Sequence, residues 1–260
     1  MTTHNVLKEF RNDFLISDIS LTFIEEFDDH MRDVNGNSAG GRNPKHKNMR
    51  TVILDMQKHD IPVKNPYEWF SVPQPKTKEV YLDHLELEAM RKLRPKLSCF
   101  SSSYKVLQMY LFACYSGLRY SDVIDLKWEH IDFENKLIKK NQIKTKSEVI
   151  TPLFTMARAV ILELSEDKKL IGSSKNVFYG YKEPTVNKGL VKLTKMAGIS
   201  NHITFHSSRH TFATHLVQDK VDIFTISKYL GHKSTDMTMR YLKYDLSIAV
   251  NSAKDIKTFG

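Results

Sequence analysis

The sequence predicts a mainly α protein with a small antiparallel β-sheet or hairpin, an α+β class, divided into two domains. Apolar residues recur at helical spacing along most of the chain. Residues 132–153 lack that period and show two short apolar runs on either side of a polar turn, which is typical of a hairpin. Four of the eight prolines fall between residues 62 and 75, where they predict an extended linker. We therefore expect a domain boundary near residue 78.

The composition excludes several classes of protein. At 260 residues, of which 41% are hydrophobic, the chain can bury a substantial core and is not expected to be disordered. Cys99 and Cys114 are too few for a secreted disulfide framework, so a reducing cytosol is expected. No apolar run approaches the roughly 18 residues of a membrane span, and no signal peptide opens the chain. A formal charge of +9 favours a polyanion as partner.

The surplus charge lies in the second part of the chain. Residues 1–80 carry 11 basic and 12 acidic side chains, which leaves 28 basic and 18 acidic for residues 81–260. One basic cluster nevertheless opens a predicted helix in the first part: Arg42, Lys45, Lys47 and Arg50. This cluster is either an ordinary solvated helix face or a surface that contacts phosphates, and the sequence leaves both interpretations open.

The first part is predicted to hold two or three helices. One is indicated by apolar residues at helical spacing: Leu21, Ile24, Phe27 and Met31. Another is indicated in the same way, after a glycine-rich turn at 36–41: Met49, Ile53 and Met56. The proline-rich stretch 62–75 then leads to the boundary.

The second part begins with a predicted amphipathic helix, indicated by Leu82, Leu85, Ala89, Met90 and Leu93. The run from Val106 to Cys114 is apolar nearly all round, so a buried helix is expected there. Ser121 is a candidate N-cap for a short helix that follows. The hairpin pairs Leu137-Ile138 with Val149–Thr151, and further helices are predicted at about 155–165, 184–197, 207–218, 222–230 and 235–243.

Five patches of the second part carry chemically informative residues. Each patch has an ordinary structural explanation when taken alone: Arg119 can pair with Asp122, lysines at a hairpin tip are usually solvated, and a tyrosine at a helix end usually packs. In chain order, the patches are Ser116 to Asp122, Gln142 to Lys146, His206 to His210, Leu230 to Lys233, and Thr238 to Tyr244, which includes Tyr241. His206 and His210 have the i,i+4 spacing of metal ligands, but no third ligand lies at a matching spacing, so no metal is expected.

In this order the five patches resemble the tyrosine recombinase, or phage integrase, family. The resemblance covers nearly the whole chain and is strongest in the run from His206 to Leu216. Within this family, the sequence is similar in particular to integrases of Bacteroidetes mobile elements. It implies a catalytic domain at 79–260. It also implies a helical, SAM-like core-binding domain at 1–78 that lacks its first helix and leaves no room for an arm-binding domain. The tail 245–260 is expected to pack in cis or to dock on a neighbouring protomer.

The resemblance also implies a role for each site residue. Tyr241 would be the nucleophile, with Tyr244 as the alternative. Arg119 and Arg209 would bind the non-bridging phosphate oxygens, and His232 would donate a hydrogen bond to the phosphate. Lys144 would be the general acid, with Lys146 as the alternative, and His206 an acid/base partner of the tyrosine. Fixed cations suit this reaction because a phenol is barely ionised at pH 7 and the phosphate gains negative charge during attack, so no metal or other cofactor is implied.

The implied function is site-specific recombination of duplex DNA through a 3′-phosphotyrosyl intermediate, for integration or excision of a mobile element. The implied partners are a double-stranded core site and three further copies in a tetramer on DNA, with a monomer in its absence and an accessory DNA-bending protein as a possible addition. The implied location is the bacterial cytoplasm, at the nucleoid. Two alternatives remain open: a type IB topoisomerase-like relaxing enzyme, and a catalytically silent DNA-binding regulator. The expected phosphate contacts outside the catalytic set are Arg42, Lys45, Lys47, Arg50 and Lys146.

Overall fold

A computed structural model describes residues 2–75, 79–164, 171–178 and 180–244, except for the side chains of Lys243 and Tyr244. The chain is mainly helical with one three-stranded antiparallel sheet, which confirms the predicted fold class. It divides into two compact units, Met1–Lys78 and Glu79–Gly260. Each unit has its own apolar core within the described residues.

Over residues 2–75, unit 1 contains three α-helices: α1 Thr3–Phe10, α2 Leu21–Asp29 and α3 Ala39–Lys58. The two predicted helices are confirmed, since Phe27 on α2 and Met31 in the π-helical turn His30–Val34 that continues it are buried together with Met49 and Ile53 on α3. The predicted glycine-rich turn at 36–41 is wrong in extent, because α3 already begins at Ala39 and takes both of the last two glycines into its first turn.

The proline-rich stretch packs on unit 1 rather than extending away from it. Asn65 caps a 3₁₀ turn at Pro66–Glu68, and Tyr67 in that turn is only 5% exposed in the core. Further along, the Asn43 amide donates a hydrogen bond of 2.8 Å to the carbonyl of Pro73. The prediction of an extended linker over 62–75 is therefore wrong for this stretch, because burial of the Tyr67 ring stabilises its packed position.

A buried polar network joins the helices of unit 1. His46 on α3 is fully buried; its Nε2 lies 2.8 Å from Asp28 Oδ1 and its Nδ1 lies 3.1 Å from the Tyr67 hydroxyl. Asp28 also pairs with the guanidinium of Arg42. These contacts satisfy polar groups that would be costly to bury alone.

Unit 2 contains eight α-helices among its described residues, arranged around α5. They are α4 His84–Arg91, α5 Ser102–Ser116, α6 Tyr120–Ile124, α7 Thr155–Leu162, α8 Glu183–Met196, α9 Ser207–Gln218, α10 Ile223–Leu230 and α11 Asp236–Met239. Helix α5 packs against α7, α8 and α9, and its residues from Val106 to Cys114 are all buried, as the sequence predicts.

Two predictions at helix starts in unit 2 are wrong. Ser121 is not an N-cap, because it lies inside α6, which begins at Tyr120. Arg119 takes the cap position without a side-chain hydrogen bond. The helix predicted from Leu82 begins only at His84, because Asp83 and Glu86 form a capping box there. Leu87 and Met90 form the buried face of this helix, and Leu85, predicted to share it, lies off that face and is 82% exposed.

The sheet consists of β1 Ile131–Asp132, β2 Leu137–Asn141 and β3 Glu148–Pro152, in the order β1-β2-β3. Strands β2 and β3 pair antiparallel with Ile138 opposite Thr151 and Asn141 opposite Glu148, which confirms the predicted hairpin. The short strand β1 is an addition that its two-residue length hides from pattern analysis.

Candidate active site

Four chain segments of unit 2 converge on one site. They are the C-terminal end of α5, the N-terminal end of α9, the C-terminal end of α10, and a 3₁₀ helix at Arg240–Tyr244 that follows α11. Helix α5 ends at Gly117 with φ of +69°, where a Cβ would lie 2.5 Å from the Phe212 ring. A glycine is needed there for both the left-handed backbone and the close approach.

Arg209, in the first turn of α9, holds the centre of the site. Its Nη1 donates to the carbonyl of Gly117 at 2.7 Å and its Nη2 to the carbonyl of Leu230 at 2.5 Å, so its guanidinium joins the C-terminal ends of α5 and α10. These carbonyls carry the partial negative charge of a helix end and offset part of the cost of burying the cation. Burial, followed by repulsion from Arg119, lowers the pKa of Arg209 to about 9.

Arg119 lies beside Arg209 without a matched anion. Its Nη1 is buried and has no hydrogen-bond partner among the described residues. Burial lowers its pKa, and the carboxylate of Asp122 and the phenol of Tyr241 oppose that change. The ordinary explanation of Arg119, a hydrogen-bonded pair with Asp122, is not observed among the described residues; Asp122 Oδ1 accepts from the backbone N–H of Ile143 at 2.9 Å. Two adjacent guanidinium groups, one with an unsatisfied donor, form a site suited to an anion.

Tyr241 is 3% exposed and lies within the field of these cations. The pKa of its phenol is raised to about 12, mainly by burial and then by the carboxylate of Glu79, whereas Arg209, Arg240 and Arg119 act to lower it. The Tyr241 ring centroid is 5.6 Å from that of His210. The side chain of Tyr244, the alternative nucleophile, lies outside the described part of the structure, as does the tail 245–260.

Two histidines of the site, His206 and His232, are kept neutral. The pKa of His206 falls to about 4, mainly by burial of the ring and then by His210 and Arg209, although the residue keeps an exposed edge. The pKa of His232 falls to about 3, again mainly by burial and then by Arg209 and Arg119. His232 Nδ1 lies 2.6 Å from the Thr238 hydroxyl, which fixes the ring. At pH 7 both imidazoles therefore have one nitrogen free of a proton.

The hairpin tip is held against the site by its first residue. Gln142 donates to the carbonyl of Leu230 at 3.1 Å, the same oxygen that Arg209 uses, and accepts from the Thr145 hydroxyl at 2.7 Å. Gly231, with φ of +60°, allows this contact, because a Cβ there would lie 2.3 Å from a methyl carbon of Val149. Gln142 therefore connects the hairpin tip to the end of α10. The sequence pattern did not distinguish this residue from its neighbours.

Lys144 and Lys146 are exposed at the tip of the hairpin. Neither side chain takes part in a hydrogen bond or an ion pair with the residues that the structure describes. Lys146 adopts φ of +57°, in the left-handed region. The structure therefore brings Arg119, His206, Arg209, His232 and Tyr241 together, whereas the two lysines lie exposed at the tip of the hairpin.

Glu79 and His210 are members of the site that the sequence analysis did not assign. Glu79 Oε1 accepts from Arg240 Nη1 at 3.1 Å, and Glu79 Oε2 lies 3.3 Å from His210 Nδ1. No sequence signal marks Glu79, because its partners follow more than 130 residues later. His210 lies in the predicted patch from His206 to His210, but its i,i+4 spacing from His206 is typical of metal ligands and does not indicate a contact with Glu79.

The basic cluster of α3 is only partly exposed. Arg42 faces inward and pairs with Asp28, so the expectation that it contacts phosphate is not supported by its position. Lys45 is half-buried and donates to the Gly41 carbonyl at 2.8 Å. Lys47 and Arg50 are exposed.

Neither a metal centre nor a membrane span is found in the described ranges. No three His, Cys, Asp or Glu side chains there are grouped so as to hold a metal ion. No helix in those ranges is both long enough and apolar enough to cross a membrane.

The chain belongs to the phage integrase family, whose model matches residues 81–246. A tyrosine recombinase from Pseudothermotoga lettingae is 30% identical over 242 residues, which are 89% of this chain and 80% of the relative. The tyrosine recombinase XerC of Rickettsia bellii is 32% identical over 145 residues, 54% of this chain; the match spans about half of that relative's length, 46%. The resemblance to Bacteroidetes integrases stays a prediction.

Two solved structures share the fold. A fragment of the Tn1549 transposon integrase in complex with circular intermediate DNA aligns with a TM-score of 0.76 and 18% identity, over 97% of this chain and 91% of that one. A lambda integrase dimer bound to a core site aligns with a TM-score of 0.74 and 17% identity, over 92% and 85%. At these identities the likeness concerns the architecture.

Proposed function

We propose that this protein is a site-specific DNA recombinase that cleaves and rejoins duplex DNA through a covalent 3′-phosphotyrosyl intermediate. The observation that carries the proposal is the placement of Tyr241 beside Arg119 and Arg209, two cations with donor capacity for an anion. Family membership and the DNA-bound state of the related integrases support duplex DNA as the substrate.

Arg119 and Arg209 bind the two non-bridging oxygens of the scissile phosphate. Arg209 is held in place by two carbonyls, so its orientation is set before DNA arrives. Such preorganised charge stabilises the additional negative charge of the transition state without reorganisation during the reaction. The arriving phosphate also supplies the anion that the buried donor of Arg119 lacks.

Tyr241 Oη attacks phosphorus, and the bond from phosphorus to the 5′-oxygen breaks. The phenol proton passes to neutral His206, while Lys144 donates a proton to the leaving 5′-oxygen from the hairpin tip; Lys146 is the alternative donor. His232 donates a hydrogen bond to the phosphate. Each proton transfer contributes about 10²- to 10⁴-fold in rate. The covalent bond conserves the energy of the broken phosphodiester, so attack by a 5′-hydroxyl rejoins the strand without ATP.

Unit 1 serves as the core-binding domain and unit 2 as the catalytic domain. Lys47 and Arg50, with Lys45 behind them, contact phosphates from unit 1, and Lys146 does so from the hairpin. One related structure is a lambda integrase tetramer on a Holliday junction, which supports a tetramer on paired sites for this chain as well. The reaction takes place at the chromosome, in the bacterial cytoplasm.

The test is a nicked suicide substrate that carries the core site and traps the covalent complex. The wild-type protein should form a protein–DNA adduct, and Tyr241→Phe should form none, whereas Tyr244→Phe should retain it. An adduct that persists in Tyr241→Phe and disappears in Tyr244→Phe would move the nucleophile to Tyr244. A DNA-binding regulator would form no adduct with any variant.

A second readout separates the recombinase from a relaxing enzyme. The same preparation is given a supercoiled plasmid with two core sites, and products are resolved on a gel. Recombinant circles support the proposal, whereas relaxed plasmid without site exchange would indicate a topoisomerase-like activity. The reaction should proceed in EDTA; a loss of activity that zinc restores would contradict a pocket that uses only fixed cations.

A further inference from the structure

Glu79, the first residue of unit 2, connects two segments on either side of Tyr241. Its side chain is only 12% exposed. One carboxylate oxygen accepts from Arg240 Nη1 at 3.1 Å, and the other lies 3.3 Å from His210 Nδ1. Arg240 immediately precedes Tyr241 in the chain, and His210 immediately follows Arg209.

His210 in turn packs between the other groups of the site. Its ring lies edge-on to His206 at 4.7 Å between centroids, and its centroid is 5.6 Å from that of Tyr241. Arg240 is 49% exposed, so without an acidic partner its side chain would be free to leave. The carboxylate therefore fixes the residue before the nucleophile and the ring beside it with one group.

We infer that Glu79 is a positioning residue, which acts through Arg240 and His210 to hold the Tyr241 ring at the guanidinium groups of Arg119 and Arg209. This inference rests on the proposed function, since it assigns a task within the same site. Its partners Arg240 and His210 are the chain neighbours of Tyr241 and Arg209, so its effect on the nucleophile passes through them.

The negative charge of Glu79 opposes ionisation of the Tyr241 phenol. A positioning role and an electrostatic role for Glu79 therefore predict opposite effects on the cleavage rate. A carboxylate near Tyr241 disfavours the phenolate and raises the pKa of the phenol. If the charge were all that mattered, Glu79→Gln would ease ionisation and speed cleavage. If placement dominates, Glu79→Gln and Glu79→Ala both slow cleavage despite the easier ionisation.

The experiment measures single-turnover cleavage of the suicide substrate at saturating protein. Glu79→Ala and Glu79→Gln should slow adduct formation by about 10- to 100-fold, as expected for a displaced nucleophile, with DNA affinity unchanged within about twofold. Glu79→Asp should recover part of the rate. The double variant Arg240→Ala/Glu79→Ala should show a smaller fold-decrease in cleavage rate than the product of the two single fold-decreases, because the two residues act as a pair. The matched control is Glu88→Ala, which removes a surface carboxylate paired with Arg91 and should cleave at the wild-type rate.

A readout that needs no catalysis accompanies the rates. Tyr241 is replaced by 3-fluorotyrosine through stop-codon suppression in the full-length chain, and its ¹⁹F resonance is recorded. Glu79→Ala should shift or broaden the resonance, and Glu88→Ala should leave it unchanged. If the wild type forms no Tyr241 adduct, the proposed function fails, while the resonance still reports whether Glu79 places the ring.

Three results would overturn the inference. The first is wild-type cleavage in Glu79→Ala, whatever its resonance. The second is faster cleavage in Glu79→Gln. The third is slowed cleavage with an unchanged resonance, because Glu79 would then act on a step other than the placement of Tyr241.

Discussion

Arg209 shows how a buried cation is oriented by the ends of two helices. Its two terminal nitrogens donate to the carbonyls of Gly117 and Leu230, and its neighbour Arg119 has one donor without a hydrogen-bond partner in the part of the chain that the structure describes. The planar fork of a guanidinium can serve two carbonyls and still face a phosphate, whereas an ammonium group presents one compact charge.

Arg209→Lys should therefore fail although it keeps the charge. We expect adduct formation to fall by about 100-fold or more, as in the loss of one preorganised donor. The lysine ammonium group lacks the planar arrangement of donors, so one of the two carbonyls or the phosphate would lose its hydrogen bond. Single-turnover cleavage measures the loss. Arg158→Lys, on the exposed face of α7, is the control and should react like the wild type. A retained rate in Arg209→Lys would show that charge alone is sufficient.

The neutral histidines predict a pH dependence of stability. The pKa values of about 4 for His206 and about 3 for His232 lie below the ordinary value of 6.5, so unfolding at low pH takes up protons. Their contribution is complete above about pH 6.5 and declines as the pH falls towards 4 and then 3. Urea unfolding at pH 7.5 and pH 5.0 should show a lower unfolding free energy at pH 5.0.

Substitution of one histidine tests this origin. The difference between the two pH values should shrink in His232→Asn, which removes a titrating ring, and should stay unchanged in the control His202→Asn, an exposed site. An identical difference in His232→Asn and wild type would assign the pH dependence to other groups.

At the scale of elements, the hairpin is coupled to α10 through backbone proximity. Gly231 ends α10 with a left-handed φ of +60°, and Val149 of β3 and Gln142 at the end of β2 pack against its Cα. The hairpin that carries Lys144 can therefore lie this close to α10 only because Gly231 has no side chain.

Gly231→Ala should displace the hairpin and lower both stability and cleavage. The added methyl group combines left-handed strain of about 1–2 kcal/mol with overpacking of about 1–3 kcal/mol, measured as a loss of unfolding free energy. Gly198→Ala is a matched control: its φ is +72°, but nothing lies within 4 Å of the new Cβ. It should show the strain alone and cleave normally. Equal effects of the two substitutions would argue against the contact with the hairpin.

At the scale of the whole molecule, the basic side chains of unit 1 differ in their exposure and therefore in their ability to contact DNA. Lys47 and Arg50 remain exposed on unit 1, whereas Arg42 is used inside it. Exposed cations that replace counterions on DNA make binding steeply dependent on salt.

Charge reversal at Lys47 and Arg50 should weaken DNA binding at all sequences alike. We expect the slope of log binding constant against log salt to fall by about one for each lost phosphate contact. Binding is measured between 50 and 200 mM salt, a range in which several contacts change affinity by orders of magnitude. Lys58→Glu, at the other end of α3, is the control. An unchanged slope would make this helix face an ordinary solvated surface.

Sequence patterns predicted what depends on local periodicity and missed what depends on distant partners. The helices with Met31 or Ile53 on their apolar face and the hairpin of β2 and β3 follow from spacing, because burial requires it. The inward turn of Arg42 and the packing of Tyr67 depend on Asp28 and His46, which no local pattern links to them. The patch order marked Arg119, His206, Arg209, His232 and Tyr241, whereas Glu79 lies beside a predicted boundary and carries no motif.

The position of Glu79 bears on how the second unit should be isolated. The family match begins at residue 81, and a fragment trimmed to that limit would lose the carboxylate that meets Arg240 and His210. A fragment that starts a few residues earlier would keep it. Two preparations that differ by this short stretch could bind DNA equally well and still differ in cleavage, so the choice of first residue would decide whether an active domain is judged inert.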